Sequence, residues 1–264
     1  MITIATWNIN SVRLRAGLVC HLLATERPDI LCLQETKSPV DRIPAEDFIA
    51  LGYTTLIARG EKGYNGVAIL SRIPLEPLPH LDFCGRGDAR HVAAITPGGV
   101  AIHNLYVPAG GDEPDPAVNP KFAHKLDFVA ELAAWSAERS GPAILVGDLN
   151  IAPGEDDVWS HTQLLKVVSH TPIEVEAFER ARGAGGWVDV SRSHMPSGKL
   201  YSWWSYRARD WAAADRGRRL DHVWASPELA PLARDSRILK AARGWTQPSD
   251  HAPVFASFAL PEAS

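Results

Sequence analysis

The chain has 264 residues, 45% of them hydrophobic, and a formal net charge of −4 at pH 7. It is long enough to bury a substantial core, and its mild acidity excludes a protein that grips nucleic acid with its whole surface. Cys20, Cys32 and Cys84 lack a CxxC spacing, which excludes a disulfide framework or thiolate zinc site and is typical of the cytoplasm.

Short β-rich runs bounded by turns alternate with helical patterns along the whole chain. The predicted strands cover residues 2–9, 29–34, 66–71, 100–107, 143–146, 201–206, 220–225 and 254–260. Helices are predicted over 12–26, ending before Pro28, and over 119–139, and the proline-rich segment 110–120 is predicted to be a surface loop. Neither a leader nor a membrane span is expected, and since no linker divides the sequence, residues 1–264 are predicted to form one domain.

Polar side chains follow the first two predicted strands. Asn8 lies at the end of the first strand, and Glu35 comes after a run of four apolar residues in the second. A strand end positions its side chain rigidly at the edge of a sheet. Taken alone, Asn8 is more typical of a turn than of a site. Glu35 is either a surface carboxylate, which its position favours by itself, or a metal ligand.

Acidic residues also mark the later strand ends. Asp148 and Asn150 would point to the same side if their strand continued, although a lone G-D-x-N is also a common turn. Asp221 begins the next strand, and Asp250 with His251 precedes the last one. An Asp-His pair in this position is a cap, a metal-ligand pair or a general acid-base unit.

The segment 180–219 combines basic and aromatic residues. It carries nine Lys or Arg against three acids, and four of the nine tryptophans of the chain lie in it. Basic groups interleaved with flat rings suit a phosphate backbone and unstacked bases. A solvated basic face with tryptophans in the core explains the same pattern equally well.

Six motifs occur in order along the chain: W-N-I-N, L-Q-E-T-K, N-L-Y-V-P, G-D-L-N-I-A-P, R-L-D-H-V and S-D-H-A-P-V. Together they resemble the exonuclease III and abasic-site endonuclease family, over about residues 3–258. The resemblance implies an α/β fold of the DNase I type, a four-layer sandwich in which two packed mixed sheets are flanked by helices. It implies a Mg²⁺-dependent nuclease, with Mn²⁺ as a substitute, that acts as a cytoplasmic monomer.

The resemblance also implies roles for the matched side chains. The residues implied around the metal are Asn8, Glu35, Asp148, Asn150, Asp250 and His251. The implied catalytic residues are Tyr106, whose hydroxyl contacts the phosphate, Asp148, which activates water, Asn150, which binds phosphate, and Asp221, which orients His251. The role of Asp250, as a second metal ligand or as a support for the histidine, stays open.

Substrate choice is implied by other positions. Tyr64, in the turn G-Y-N-G-V, matches a groove-contacting tyrosine, and Trp203 with Leu220 matches the walls of a pocket for an extruded abasic sugar. Arg13, Lys37 and Arg207 are predicted to contact DNA as well. The expected substrate is duplex DNA with abasic sites, nicks or 3′ ends. No membrane partner is expected.

Two departures and two rivals accompany this prediction. Ala109 stands where many relatives have Asn or Gln, and Asn10 where eukaryotic relatives have an acid. A phosphoesterase of the same superfamily that acts on inositol phosphates or sphingomyelin would share the metal and the Asp-His pair. An inactive DNA-binding module would lack one of Glu35, Asp148, Asp221 or His251, and all four are present.

Overall fold

The secondary structure alternates between strands and helices through residues 1–260, which the computed structural model describes. The strands are β1 (Ile2–Asn8), β2 (Ile30–Gln34), β3 (Thr55–Arg59), β4 (Val67–Ser71), β5 (Glu76–Leu78), β6 (His91–Ile95), β7 (Ala101–Tyr106), β8 (Ala143–Asp148), β9 (Val188–Asp189), β10 (Trp203–Trp204), β11 (Gly217–Arg218), β12 (Asp221–Ala225), β13 (Ala233–Ile238) and β14 (Val254–Phe258). The helices are α1 (Ala16–Thr25), α2 (Ala45–Ile49), α3 (Pro120–Glu138), α4 (His161–Leu164), α5 (Pro172–Ala184), α6 (Val190–His194) and α7 (Trp211–Ala214).

Two six-stranded mixed sheets are built from these strands. The first has the order β13-β14-β1-β2-β4-β3 and the second β5-β6-β7-β8-β12-β9. Within them β1 runs parallel to β2 and β7 parallel to β8, while β14 and β12 run antiparallel to β1 and β8. A separate hairpin, β10-β11, stands beside the sheets. The predicted two-sheet fold class is confirmed.

Alternating side chains assign the two faces of each sheet. In β2, Ile30 and Cys32 enter a core shared with residues of the second sheet, whereas Leu31 and Leu33 pack with α1 residues on the opposite face. The second sheet likewise buries Leu145 outward against α3 and α5 residues such as Phe128 and Phe178. Each sheet is therefore buried on both faces, which produces four layers.

The long predicted helix is confirmed as α3, and its caps explain its boundaries. The Asn119 side chain accepts the backbone N–H of Lys121, and Pro120 occupies the first turn, where its missing N–H costs nothing. The preceding segment 110–120 is a largely exposed loop, as predicted.

Two predicted elements are shorter than the sequence pattern indicates. The first helix begins at Ala16 and not at Val12, because the N–H groups of Ser11 and Val12 bind the carbonyls of Glu35 and Thr36 and hold this stretch along the end of β2. The predicted strand 201–206 is reduced to β10, which pairs with β11 over two residues. On its other side it makes a single antiparallel bridge, between Trp203 and His251, in which the N–H of Trp204 donates to the carbonyl of Asp250.

Part of the basic stretch 180–219 serves the fold. Arg219 is almost fully buried and binds Asp157 and Asp189, and Arg192 also binds Asp157. Burial would raise the pKa of Asp157, but Arg219 and Arg192 lower it to about 2. Of the four tryptophans, Trp187 and Trp204 are in the core, while Trp203 and Trp211 are partly exposed. The core interpretation thus holds for half of the tryptophans of this segment.

Within residues 1–260, none of the helices combines the length and apolar character needed to cross a membrane.

Candidate active site

Strand ends from both sheets meet at one edge of the sandwich. The parallel pairs β1-β2 and β7-β8 finish there with Asn8, Tyr106 and Asp148, and Glu35 follows β2 directly. The antiparallel strand β12 begins opposite the end of β8, with Asp221 paired to Asp148. Residues scattered from position 8 to position 251 are therefore brought together by the topology alone.

A glycine allows the two parallel strands of the second sheet to approach closely at this edge. Gly147 has φ +144°, and a Cβ at this position would lie 1.9 Å from the carbonyl oxygen of Leu105. No side chain fits such a contact, so the residue before Asp148 must be glycine.

Asn8 links two carboxylates. Its Nδ2 donates to Glu35 Oε1 and to Asp148 Oδ2, both at 2.8 Å. Burial would raise the pKa of Glu35, but the charge of Lys37 and hydrogen bonds from Asn8 and Lys37 hold it below its usual value. Glu35 is therefore ionised at neutral pH.

His251 lies between two aspartates. Its Nδ1 is 2.8 Å from Asp221 Oδ2, and its Nε2 is 3.7 Å from Asp148 Oδ2. Ser202 fixes Asp221, since its Oγ donates to Oδ2 at 2.6 Å and accepts the Asp221 N–H at 3.0 Å. Burial would lower the pKa of His251, but Asp221 and Asp148 raise it to about 10, which keeps the imidazole protonated.

The surroundings of Asp148 disfavour its charged form, whereas those of His251 favour the charged form. Burial raises its pKa to about 7, and Asp221 and Glu35 add to this effect against the opposing influence of His251 and Asn8. A carboxylate that titrates near neutral pH is matched to accept a proton from water.

Tyr106 completes the group as a neutral donor. Its hydroxyl donates to Glu35 Oε1 at 2.9 Å. Burial, together with Glu35 and Asp148, raises the pKa of Tyr106 well above its usual value, so the phenol keeps its proton. The guanidinium of Arg90 lies 4.8 Å from the centre of its ring and donates to its carbonyl oxygen.

Asn150 does not continue β8, contrary to the condition under which its side chain would align with that of Asp148. It has φ +54°, its N–H donates to Asp148 Oδ1 at 3.0 Å, and its Nδ2 donates to Val107 O at 2.9 Å. The G-D-x-N turn is therefore real, and it places Asn150 across the ends of β7 and β8. Asn150 remains a prediction as a phosphate or metal contact.

A chain of polar contacts runs from Glu35 to the β10-β11 hairpin. Lys37 Nζ lies 2.8 Å from Glu35 Oε2 and 2.7 Å from Asn10 Oδ1. Asn10 Nδ2 donates to Asp250 Oδ1 at 3.2 Å, and Trp203 Nε1 donates to Asp250 Oδ2 at 3.0 Å. Both carboxylate oxygens of Asp250 are therefore already hydrogen-bonded within the protein.

The predicted DNA contacts lie around this edge. Tyr64 is 60% exposed in a turn that packs on the end of β2, where Lys37 N binds Asn65 O. Arg13 and Arg207 are exposed. Leu220 is buried beside Trp203 in a small apolar cluster. These positions remain predictions as DNA contacts.

The sequence analysis missed Ser202 and Arg90, and it named Asn10 only as a departure from the relatives. Ser202 fixes Asp221, Arg90 packs on Tyr106, and Asn10 connects Lys37 to Asp250. Ser202 lies beside Trp203, inside a segment whose signal came from its basic and aromatic residues. Arg90 directly precedes β6, a strand that the pattern did not reveal, so its sequence carried no signal.

The donor set fits a hard divalent cation. Glu35 and Asp148 offer carboxylate oxygens, the ligands that Mg²⁺ and Mn²⁺ prefer, on either side of Asn8 Nδ2. The Asn8 amide oxygen accepts the N–H of Asn10, so it would face an ion only after the amide group turned over. Ligand atoms of Asp148, Asp221 and His251 also lie within 4.8 Å of one another. The geometry thus accommodates one ion among these residues.

Comparisons with known proteins agree on one relationship. The model of the endonuclease/exonuclease/phosphatase family matches residues 5–251. The exodeoxyribonuclease of Bacillus subtilis is 31% identical over 94% of this chain and 96% of its own length. An AP endonuclease structure from Archaeoglobus fulgidus has a TM-score of 0.92 and 32% identity, covering 98% of this chain and 100% of that one. A 3′ phosphatase from Neisseria bound to a product DNA hairpin has a TM-score of 0.89 and 33% identity, covering 98% and 99%.

Proposed function

Because the chain belongs to the endonuclease/exonuclease/phosphatase family, we propose that it is a DNA repair nuclease of the exonuclease III type. It hydrolyses phosphodiester bonds 5′ of abasic sites and removes nucleotides or blocking groups from 3′ ends of duplex DNA. We further propose that residues 1–264 form one catalytic domain, and that the protein acts as a monomer in the cytoplasm with Mg²⁺, for which Mn²⁺ can substitute.

One observation carries this proposal. Protonated His251 stands between Asp221 and Asp148, and Asp148 shares the Asn8 amide with Glu35. A phosphodiester anion repels nucleophiles, so its hydrolysis needs positive charge at the non-bridging oxygens and a base for the attacking water. The contacting residues Asn8, Glu35, Asp148, Asp221 and His251 offer both the positive charge and the base.

Each side chain has a distinct task in this chemistry. His251, kept cationic by Asp221, donates to a phosphate oxygen and stabilises the charge that develops there. Asp148 accepts the proton of the attacking water. The Tyr106 hydroxyl, now held by Glu35, can donate to the phosphate.

The metal would be held by Glu35, Asn8 and Asp148, with Asn150 and Asp250 as further candidates. His251 was also a predicted ligand, but a protonated imidazole has no lone pair for a metal, so this side chain fits only as the cation at the phosphate. When bound, a divalent ion neutralises charge on the phosphate oxygens and polarises the P–O bond. Asp250 fits this role least, because Asn10 and Trp203 already bind its two oxygens.

Substrate selection is proposed to depend on the rim of the site. Trp203 and Leu220 offer an apolar wall for an extruded sugar without a base, and Tyr64, Arg13, Lys37 and Arg207 offer contacts to the duplex. The Bacillus subtilis relative is named an exodeoxyribonuclease, and the Neisseria 3′ phosphatase is bound to a product DNA hairpin, which favours DNA over inositol phosphates or sphingomyelin. The intact catalytic cluster disfavours an inactive binding module.

The contact between Asp250 and Trp203 gives a prediction about substrate binding. Trp203→Phe keeps an aromatic ring but removes the N–H that Asp250 accepts. Because a hydrogen bond to a charged group contributes about 1.5–3 kcal/mol, we expect this variant to raise KM for abasic duplex by about tenfold. Steady-state cleavage of a labelled abasic duplex measures the change.

Asp250→Asn serves as the matched variant. If Asp250 acts by holding Trp203, it should raise KM to a similar extent, and the double variant should be little worse than either single one. A higher metal requirement for Asp250→Asn, without a matching effect of Trp203→Phe, would instead identify Asp250 as a metal ligand.

The proposed function is tested by comparing two DNA substrates. One duplex carries a single abasic analogue, and the other is an intact nicked duplex, each incubated with Mg²⁺ or with a chelator. We expect incision 5′ of the analogue and shortening from the 3′ end at the nick, both abolished by the chelator. Unchanged DNA in the presence of metal, or equal products with the chelator, contradicts the proposal.

A further inference from the structure

A buried lysine lies behind the catalytic edge and has no part in the chemistry described above. Lys125, near the start of α3, and Glu174, in the first turn of α5, have no exposed side-chain surface, and their charged atoms are 2.5 Å apart. Lysine is almost never fully buried unless it is paired. Burial lowers the pKa of Lys125, although the charge of Glu174 opposes the change.

Glu174 is bound on its other side by the loop that precedes α5. Its oxygens accept the N–H of Ser169, the N–H of Thr171 and the hydroxyl of Thr171. This arrangement is a capping box in which the usual exposed glutamate is placed in the interior. Backbone and hydroxyl donors therefore hold the Glu174 carboxylate in place independently of Lys125.

Lys125 uses its remaining donors on two loops of the active site. Its Nζ donates to Asn150 O at 2.8 Å and to Ala109 O at 3.3 Å. Ala109 follows Tyr106 by three residues, and Asn150 follows Asp148 by two. The loop of Ala109 also packs along the lysine stem, where a Cβ on Gly110 would lie 2.9 Å from Lys125 Cδ.

The same two loops are joined to the catalytic residues. The Asn150 N–H donates to Asp148 Oδ1, and its Nδ2 donates to Val107 O. Asn150 has φ +54°, in the left-handed region that is uncommon outside glycine and that asparagine adopts more readily than most residues. Lys125 Nζ is the charged group that binds the carbonyl of this turn residue.

Stability alone is a weak reason for such a pair. Replacing a buried ion pair with apolar residues of similar volume is often neutral or stabilising, because desolvation of both charges opposes their attraction. A hydrophobic residue at position 125 would also match the neighbouring core positions of α3, Phe128, Val129 and Leu132. The lysine instead supplies three directed donors to fixed carbonyl and carboxylate oxygens.

We propose that Lys125 is a positioning residue, which holds the carbonyls of Ala109 and Asn150 and thereby fixes the orientation of Asp148 and Tyr106 for the reaction. The statement about catalysis rests on the proposed nuclease function, whereas the statement about loop order does not. Without Lys125, the N–H of Asn150 is no longer held in position to donate to Asp148 Oδ1. The loop after Tyr106 also loses its packing against the aliphatic part of the lysine side chain.

The test separates positioning from simple burial of charge. Lys125→Met keeps the length of the side chain but leaves Glu174 as an uncompensated buried charge, so we expect Tm to fall by roughly 10 °C. Adding Glu174→Gln removes that charge and retains a capping oxygen, so we expect the double variant to regain most of the Tm. Glu174→Gln alone keeps the lysine and its two carbonyl contacts.

We expect kcat to depend on whether Lys125 is present and not on the Tm of the variant. We expect kcat on abasic duplex to fall by about 100-fold in Lys125→Met and in the double variant, with KM little changed, since a misplacement of about 1 Å can cost this much. Glu174→Gln alone should lose much less. Recovery of kcat together with Tm in the double variant overturns the proposal.

A destabilised control and a second measurement cover the remaining outcomes. Leu23→Ala, on α1, lowers stability through a buried apolar residue whose core cluster includes no residue of 105–112 or 148–154. If it matches the Lys125 variants in Tm and also in kcat, the effect is general instability and the proposal fails.

Hydrogen exchange of peptides spanning 105–112 and 148–154 should accelerate in the double variant and not in Leu23→Ala. Equal exchange in the two variants also overturns the proposal. Exchange reports on the lysine even if the wild-type protein cleaves no DNA, an outcome that rejects the proposed function alone.

Discussion

Asp148→Asn is expected to lower kcat on abasic duplex by about 1000-fold or more, because proton transfer and charge stabilisation both depend on this carboxylate. The amide has the shape of the acid but accepts no proton from water at neutral pH. It also interferes with the Asn8 contact, since Asn8 Nδ2 donates to Asp148 Oδ2 and an amide nitrogen there would be a second donor. Single-turnover cleavage with saturating enzyme measures the chemical step.

DNA binding should survive this substitution. The predicted duplex contacts at Tyr64, Arg13 and Arg207 lie on the rim, so the dissociation constant measured by fluorescence anisotropy should change by less than the rate. Asp127→Asn, an exposed position on α3, is the isosteric control and should behave as wild type. Cleavage by Asp148→Asn at near-normal rate would remove Asp148 from the mechanism.

His251→Ala should produce a loss of similar size. The two residues face each other at 3.7 Å and act on one phosphate, so the double variant should be hardly worse than either single one. Additive losses in the double variant would mean that His251 and Asp148 act in separate steps.

The pattern of the sequence was sufficient for strands with strong apolar character and insufficient for those with mixed character. Strand β2 is buried throughout, and its run of apolar residues identified it. Strand β13, A-R-D-S-R-I, is largely polar, and it lies at the edge of the first sheet, where one side of a strand needs no burial. Helix α5 was missed because its apolar stripe is weak, although Thr171, Pro172 and Glu174 form a recognisable capping signal.

Each motif of the site was ambiguous by itself, whereas the order of the six motifs along the chain identified the family. The strand-end positions of Asp148 and Asp221 were predicted, but their partners depend on register and long-range packing. Ser202 reaches Asp221 only because β10-β11 folds against the start of β12, and Lys125 reaches Asn150 from a helix on the outer face. Short-range periodicity contains no information about such contacts.

Glu35→Gln is the prediction that most directly tests the metal. The amide can still accept from Tyr106 and Asn8, so the local hydrogen bonds can persist while the negative charge is lost. If Glu35 is a principal ligand, its loss should remove several kcal/mol of transition-state stabilisation, or about 1000-fold in kcat/KM at limiting Mg²⁺. A titration with Mg²⁺ should show partial recovery at high metal concentration, and Glu46→Gln, exposed on α2, should titrate as wild type.

Direct metal binding then decides which carboxylates hold the ion. Titration calorimetry with Mn²⁺ should show weaker binding for Glu35→Gln than for wild type, because a neutral amide is a poorer ligand for a divalent cation than a carboxylate. Asp221 is already engaged by Ser202 and His251, so Asp221→Asn should alter Mn²⁺ affinity much less. If the order is reversed, the ion belongs to the cluster of Asp148, Asp221 and His251, and Glu35 acts instead as the hydrogen-bond partner that orients Tyr106 and Asn8.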